Sequence, residues 1–516
     1  MKNKLQQEQF RAYERNGQLV LGINSEICLP ENAPVRRTSA QLEELDYRKL
    51  YEAYSPKGRK SVVDPKVMFK VMAYGYECGI RTTRDLEEAC RYRVDFMWLL
   101  EDQPVPDHST ISRFRTGRCS EAVEDLFYQY VKCLETWGET DHETVFVDGT
   151  KMESRAGRYT FCWRGSIEKN LAKVKAEVLK LTGLKTQRGL GQRLLKLEEG
   201  IDFTTGSGHH KTQEQRDWEH LHNLEQRWAR YEAQLEIMGP GRNSYSRTDV
   251  DATFMRMKED HMRNGQLKPA YNVQIAVNSE YITGIEAFSN RTDYGTLAPF
   301  LEEISSRHGS RYEKVVADAG YESLENYLYL EKNGQMSFIK PSNYEQAKTK
   351  KYRSQIGRSE NMQYDAANDC YICAAGNTLI KLHESTDKRS GAVTTHYRCE
   401  NCCGCSFRAK CCNAKDPDSP KEIRVKKQLM EKRMQSLDNI TTEEGIYLRM
   451  CRSIQVEGAF ALLKNDFGFR RFLTTGKRNV KIELLFLAFG FNLKKNWMKA
   501  EAEREKTHLS VIKKIA

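Results

Sequence analysis

Two short apolar runs, T-V-F-V-D-G-T and K-V-V-A-D-A-G-Y, each stop at an acid with glycine at or near the turn that follows, at Asp148 and Asp318. β-Branched and aromatic residues in runs this short read as buried strands. A charged carboxylate at a strand's apolar end is costly unless something pairs with it, and a divalent cation is the commonest functional partner. For either residue alone, an aspartate that caps the next turn through backbone amides is the plainer reading. The pair carries more weight than either member.

The period of the chain changes around these strands. Residues 1–60 read as an N-terminal arm, polar at first and then turn-rich in L-P-E-N-A-P-V-R-R. Residues 61–140 read as a helical domain. Pro65 suits a first helical position, Val67, Met68, Val71 and Met72 follow at helical spacing, and further candidates lie at 83–90 and 96–100. In P-D-H-S-T-I-S-R-F-R, Asp107 or Ser109 can cap a short helix that presents Arg113 and Arg115. This order suits a helix-turn-helix array on DNA, and equally a plain helical domain with surface arginines.

Residues 141–340 and 441–500 carry the strands and late helix of a mixed α/β domain. Its second strand pair is A-Y-N-V-Q-I-A-V and Y-I-T-G-I-E-A-F about the turn N-S-E, and S-F-I-K-P adds another short strand. A charged, leucine-bearing insertion at 165–240 predicts two helices in an antiparallel hairpin.

A third acid comes from C-R-S-I-Q-V-E-G-A-F-A-L-L-K. At about 3.6 residues per turn, Glu457, Ala461 and Lys464 share one helix face. Ile454 and Leu463 flank that face while Val456 and Phe460 point elsewhere, so it is expected to look inward to a site; a salt-bridged surface helix is the alternative. Carboxylates on two strands and a helix suit two Mg²⁺ or Mn²⁺ ions, which take oxygen ligands and keep positions open for substrate phosphate. One ion would activate the attacking water or 3′-hydroxyl and the other would stabilise the leaving oxygen. The chain has no G-x-x-x-x-G-K-[ST], G-x-S-x-G or H-E-x-x-H, which weakens nucleotide hydrolase, esterase and zinc-protease readings.

The 516 residues, 39% hydrophobic and 30% charged, include no apolar run long enough to cross a bilayer and predict several domains. The start lacks a secretory signal, so a cytoplasmic, nucleoid-associated protein is expected. Net charge is +11, and from Arg449 onward 15 basic residues face 6 acidic ones, a net +9 that includes a basic tail at 501–516. Such a region attracts phosphate by counterion release, or is simply a solvated basic helix.

Of the 15 cysteines, eight lie between Cys370 and Cys412. Their three-residue steps suit tetrahedral Zn²⁺ held by Cys373, Cys402, Cys405 and one of Cys411 or Cys412, with Cys399 as substitute. The segment 364–415 then reads as a small zinc ribbon, too poor in apolar residues to fold without metal. Phe407, Arg408 and Lys410 beside it can touch DNA or lie in a solvated turn. Cys78, Cys90 and Cys133 fall among apolar helical residues and read as core, while His209 and His210 read as solvent-facing.

The D-G-T at 148–150, A-D-A-G-Y at 317–321, and Glu457 with Lys464 seven residues on resemble the three catalytic blocks of bacterial insertion-sequence transposases with a DDE triad. R-T-D-V-D-A-T-F-M, K-P-A-Y-N-V-Q-I-A-V, P-D-H-S-T-I-S-R-F-R and the late cysteine-rich insertion also resemble that family, over roughly residues 60–500. The resemblance implies an RNase H-like fold, a mixed sheet whose first and fourth strands carry the aspartates and whose late helix carries the glutamate. It implies Asp148, Asp318 and Glu457 as catalytic metal ligands and Lys464 as a contact to transposon-end phosphate. Arg452, Arg470, Arg471, Arg113 and Arg115 join Lys464 as candidate DNA contacts. The family's helix signature places Tyr seven and Arg four residues before the glutamate; here those positions are Met450 and Ser453, with Arg449 and Arg452 beside them. The implied reaction is hydrolysis at the element's terminal inverted repeats and attack of the freed 3′-hydroxyl on target DNA. The implied assembly is a homodimer or larger on DNA, with the 165–240 helices as possible contacts. A non-cutting regulator derived from a transposase and a DDE-type endonuclease without joining activity are the alternatives.

Overall fold

The computed structural model describes residues 28–54, 61–205, 211–257, 265–387, 391–402, 404–412 and 419–515, with side chains to 504. His209, His210 and most of the 1–60 arm lie outside the described residues.

The centre is a mixed sheet. Its strands are β1 (Thr144–Glu153), β4 (Thr253–Arg256), β5 (Leu267–Asn278), β6 (Tyr281–Phe288), β7 (Lys314–Ala317) and β8 (Met336–Ile339), while β2 (Phe161–Trp163) and β3 (Ser244–Ser246) form a separate ribbon. β1 runs antiparallel to β5 and parallel to β7, which is parallel to β8; along the far edge of β5 lie β4 and then β6. The five long-range strands in the order β6-β5-β1-β7-β8 make the RNase H-like arrangement, with β1 first and β7 fourth among them. β5 and β6 are joined through Ser279 (φ 49°) and Glu280 (φ 72°), two left-handed residues of the kind a tight hairpin turn requires. The edge of β6 is closed by a side chain: Asn492 accepts from the Ile282 amide and donates to its carbonyl, both at 2.8 Å.

Helices α1 (Pro34–Glu43), α2 (Pro65–Glu77), α3 (Thr83–Tyr92), α4 (Val94–Leu99), α5 (His108–Arg113) and α6 (Val123–Thr136) precede β1. Asp64 caps α2 by accepting from the Lys66 amide, with Pro65 at the start. α2 is buried on every side up to Glu77, which an apolar helix tolerates only inside a core. Phe69 packs on Phe486 and Phe489 with ring centroids 5.6 and 5.3 Å apart, which joins the amino-terminal helices to the last helix and the sheet in one core.

After β8 come α12 (Lys427–Thr441), α13 (Glu443–Ala461) and α14 (Lys477–Ile515); α7 (Arg164–Thr182), α8 (Gln187–Glu198) and α9 (Gln213–Met238) fill the insertion, and α10 (Leu297–His308) and α11 (Leu324–Lys332) flank β7. The insertion thus has three helices where a two-helix hairpin is expected. Gly183, left-handed at φ 71°, ends α7, and Thr186 caps a new helix by accepting from the Gly189 amide. These helices enclose their own core of Leu171, Val174, Leu190, Leu224 and Trp228. Residues 501–515 are not a separate tail but the continuation of α14.

The cysteine-rich segment is a five-stranded antiparallel sheet from β9 (Gln363–Asp365) through β10 (Cys370–Ile372), β11 (Thr378–Thr386) and β12 (Val393–Cys399) to β13 (Glu422–Val425). It therefore extends beyond the 364–415 boundary, and Tyr371, Leu379, Tyr397 and Ile423 give it an apolar core that the sequence reading underrated. No helix among the described residues is long and apolar enough to cross a membrane.

Candidate active site

Strand register brings the two aspartates together. Val147 pairs with Ala317 as the last pair of the parallel β1–β7 ladder, so Asp148 and Asp318 are the residues that directly follow it on the two chains. Helix α13 packs across β1 and β7. From it the Arg452 guanidinium reaches Asp148, Nη1 to Oδ2 at 3.2 Å, with both side chains mostly buried. Asp318 accepts from the Gly320 amide at 2.8 Å and so also caps its turn, as the plainer reading expects.

Glu457 lies on the exposed flank of the same helix, where the Ser453 hydroxyl one turn earlier donates to it at 3.1 Å. The three carboxylates belong to one module, but they do not share the 4.8 Å spacing of a preformed chelate. The expected orientation of α13 is reversed in part. Val456, Ala459, Phe460 and Leu463 form its buried seam, whereas Ile454 is 61% exposed and continues an outward apolar stripe with Ile446 and Met450. Lys464 is half-buried and lies in a π turn over Leu462–Asp466, which follows the helix that carries Glu457.

A fourth acid completes the cluster, and sequence reasoning missed it. The carboxylate of Asp293 accepts from Asn272 Nδ2 at 2.6 Å and Gln274 Nε2 at 3.1 Å, both from β5. It wedges between two glycines: a Cβ on Gly149 would meet Asp293 Oδ1 at 3.0 Å, and one on Gly320 would meet Oδ2 at 3.3 Å. The D-G-T and A-D-A-G-Y glycines are therefore sites of close approach. Tyr321 is buried beneath and donates to Gln274 Oε1. Burial first, and then the negative charges of Asp293, Asp148 and Asp318, push its phenol well above the ordinary range, while Arg452 pulls the other way. The signal available in sequence was the acid in N-R-T-D-Y-G, lying between two strands with no pattern to single it out.

The basic residues divide. Arg113 and Arg470 are exposed and Lys464 is half-buried. Arg115, expected on a presented helix, is 6% exposed and donates to the Arg81 carbonyl at 3.2 Å. Its charge offsets the buried Glu483, so it is a core cation and not a DNA contact. Arg471, itself exposed, donates to the Ser154, Arg155 and Ala156 carbonyls at 3.0 to 3.2 Å, clasping the end of β1. Within R-T-D-V-D-A-T-F-M, buried Asp249 accepts from Ser154, Tyr271 and the Gly476 amide, which makes that stretch a joint between β1, β5 and the start of α14.

In the cysteine-rich sheet, Cys373, Cys399, Cys402, Cys405, Cys411 and Cys412 line one pocket, with Phe407, Arg408 and Lys421 beside them. Burial pushes the Cys399 thiol up to about 12, with Cys402 and Cys373 adding to the effect, and raises Cys411 too. Thiols lining one pocket suit a thiophilic cation, whose charge reverses that penalty, although no three of their described sulfurs lie within 4.8 Å of one another. Cys90 is buried and Cys133 half-buried, as expected of core residues, whereas Cys78 is exposed.

The strand expected to stop at Asp148 instead runs on to Glu153, paired with β5 throughout, so only Asp318 sits at a strand end. A mixed sheet in this order, with Asp148 inside β1 and Asp318 just past β7 under a glutamate-bearing helix, defines an RNase H-like domain of the DDE kind. A family described as a transposase DDE domain matches residues 372–497, and one described as a transposase domain (DUF772) matches residues 24–117. Together with the fold these matches support an insertion-sequence DDE transposase. The first contains Glu457 and the cysteine pocket and begins after Asp148 and Asp318. No curated protein matches the chain.

Proposed function

We propose that this transposase binds the terminal inverted repeats of its element as a homodimer or larger assembly, and cleaves and joins strands with two divalent cations held by Asp148, Asp318 and Glu457. The observation that supports this reading best is the parallel β1–β7 ladder, whose last pair, Val147 with Ala317, immediately precedes Asp148 and Asp318. Arg452 against Asp148 is a cation standing where a metal ion would neutralise the same carboxylate. Mg²⁺ or Mn²⁺ there would supply an activated attacking oxygen and charge stabilisation at the leaving one. Around the acids, Asn272 and Gln274 orient Asp293, and Tyr321 fixes Gln274 in turn. Lys464, Arg470 and Arg113 would hold DNA phosphates, with Arg452 added once it leaves Asp148. The cysteine pocket would hold structural Zn²⁺.

The test is a gel assay with a labelled element end, flanking DNA and Mg²⁺. Joined product is expected from the wild type, and none from Asp148→Ala, Asp318→Ala or Glu457→Ala, each still binding the end, because ligation of metal and contact to phosphate are separable. Cleavage without joining would instead mark an endonuclease, and binding without cleavage a regulator.

A further inference from the structure

Away from the catalytic acids, three elements meet at Glu135 in the last turn of α6, His142 in the segment before β1, and His308 at the end of α10. One ligand atom from each lies within 4.8 Å of the others, and among the described residues no other His, Cys, Asp and Glu group does this. His308 is 7% exposed. Its Nε2 is 3.1 Å from the Thr283 carbonyl oxygen, which can only accept, so Nε2 carries a proton. In the neutral ring Nδ1 then holds a lone pair. That atom is buried without a hydrogen-bond partner, and it faces Glu135 Oε1 at 3.5 Å. His142 Nε2 approaches the same oxygen at 3.3 Å, and Ser310 Oγ lies 3.1 Å from His142 Nδ1 and 3.3 Å from Nε2.

Two answers exist for a lone pair turned on a carboxylate oxygen: a second proton on the ring, or a cation between them. The surroundings oppose the proton. Tyr128 and Tyr312 pack against the imidazole with centroids 5.3 and 6.2 Å away.

We propose that Glu135, His142 and His308 bind a divalent transition metal such as Zn²⁺, at a site separate from the catalytic acids and from the cysteine pocket. Two imidazoles and a carboxylate favour such an ion over Mg²⁺. The bond from His308 Nε2 to a backbone carbonyl is the outer contact that usually fixes the tautomer of a metal-binding histidine. The ion would pin α6 to α10 and to the entry of β1, so it would tie the amino-terminal helices to the strand that bears Asp148.

The test uses full-length protein stripped of metal and titrated with Co²⁺. Cobalt on cysteine gives a thiolate charge-transfer band in the near ultraviolet, whereas cobalt on histidine and carboxylate does not. His142 is part exposed in a connecting segment, so His142→Ala should fold. It is expected to bind one Co²⁺ fewer than the wild type with the thiolate band unchanged, and Co²⁺ should raise the melting temperature of the wild type more than that of the variant. Glu135→Gln should behave alike. Equal Co²⁺ binding by His142→Ala and wild type overturns the proposal, as does a Zn²⁺-loaded wild type whose X-ray absorption shows sulfur ligands alone.

Discussion

The position after Asp148 admits no side chain, and Gly149→Ala tests the network beneath the acids. A Cβ there would stand 2.3 Å from Gln274 Nε2, about 1 Å inside ordinary contact at 3.4 Å. Gln274 cannot swing aside freely. It is fully buried, its Nε2 donates to Asn272 Oδ1 at 3.0 Å and Asp293 Oδ1 at 3.1 Å, and its Oε1 accepts from Tyr321. Overpacking costs about 1–3 kcal/mol, and loss of a hydrogen bond to a charged partner about 1.5–3 kcal/mol. A destabilisation of about 3 kcal/mol is therefore expected, and because Asp148 is the adjacent residue, a shift of about 1 Å at the carboxylate should slow cleavage about 100-fold. Thermal melting and single-turnover cleavage of an end substrate measure the two effects. Gln274→Ala removes the obstruction, so Gly149→Ala made in that background should cost under about 1 kcal/mol more. An equal loss in both backgrounds, or a Gly149→Ala enzyme that cuts at the wild-type rate, would refute the argument.

Arg452→Met should let Mn²⁺ activate cleavage at about fivefold lower concentration, since a part-buried ion pair worth about 1 kcal/mol no longer competes for Asp148; unchanged Mn²⁺ dependence would show that the pair does not occupy the metal position. Glu77 is buried against Thr38, and burial pushes its carboxyl up to about 8 from 4.5. The folded chain thus holds a proton that the unfolded chain releases, so its contribution is full below pH 4.5 and is lost as pH rises through about 8. Glu77→Gln should be the more stable protein at pH 7, by at most about 3 kcal/mol, and melting at pH 5 and pH 8 should show the gap widening. Cys402→Ser should lower the zinc content measured on the purified protein and expose the 363–425 sheet to protease, while α2 and α14 stay protected.

How far the sequence could be read depended on the range of the interactions involved. The strands at Asp148 and Asp318, the β5–β6 hairpin and the caps at Asp64 and Asp107 are local, written in β-branched runs, turn residues and capping side chains. The third helix of the insertion was hidden because Leu-rich, charged sequence continues across Gly183, and only its left-handed φ and the Thr186 cap divide it. The packing of residues 61–140 against the end of the chain was hidden for a different reason. Periodicity shows that α2 has an apolar face, but not that the far end of the chain supplies Phe486 and Phe489 to cover the rest of it. Arg115 was misjudged alike, since its buried partner Glu483 lies hundreds of residues away.

The site was legible in the same uneven way. Acids that follow short apolar runs announce themselves, because a carboxylate placed there must have a partner, although β1 runs on past Asp148 to Glu153. Asp293 does not, since it ends no strand and its donors, Asn272 and Gln274, point from the middle of another. The helix contact was the harder inference: spacing set Glu457 and Lys464 on one face of a regular helix, but the helix becomes a π turn at Leu462, and a residue that reaches Asp148 is Arg452. Its place one position before Ser453, where the related helix signature has its arginine, has a physical sense. One residue rotates a side chain by about 100° around a helix, enough to turn an arginine from the flank shared with Glu457 toward the sheet. There it neutralises Asp148, and the same displacement that departs from the family pattern keeps a mid-strand carboxylate tolerable without metal.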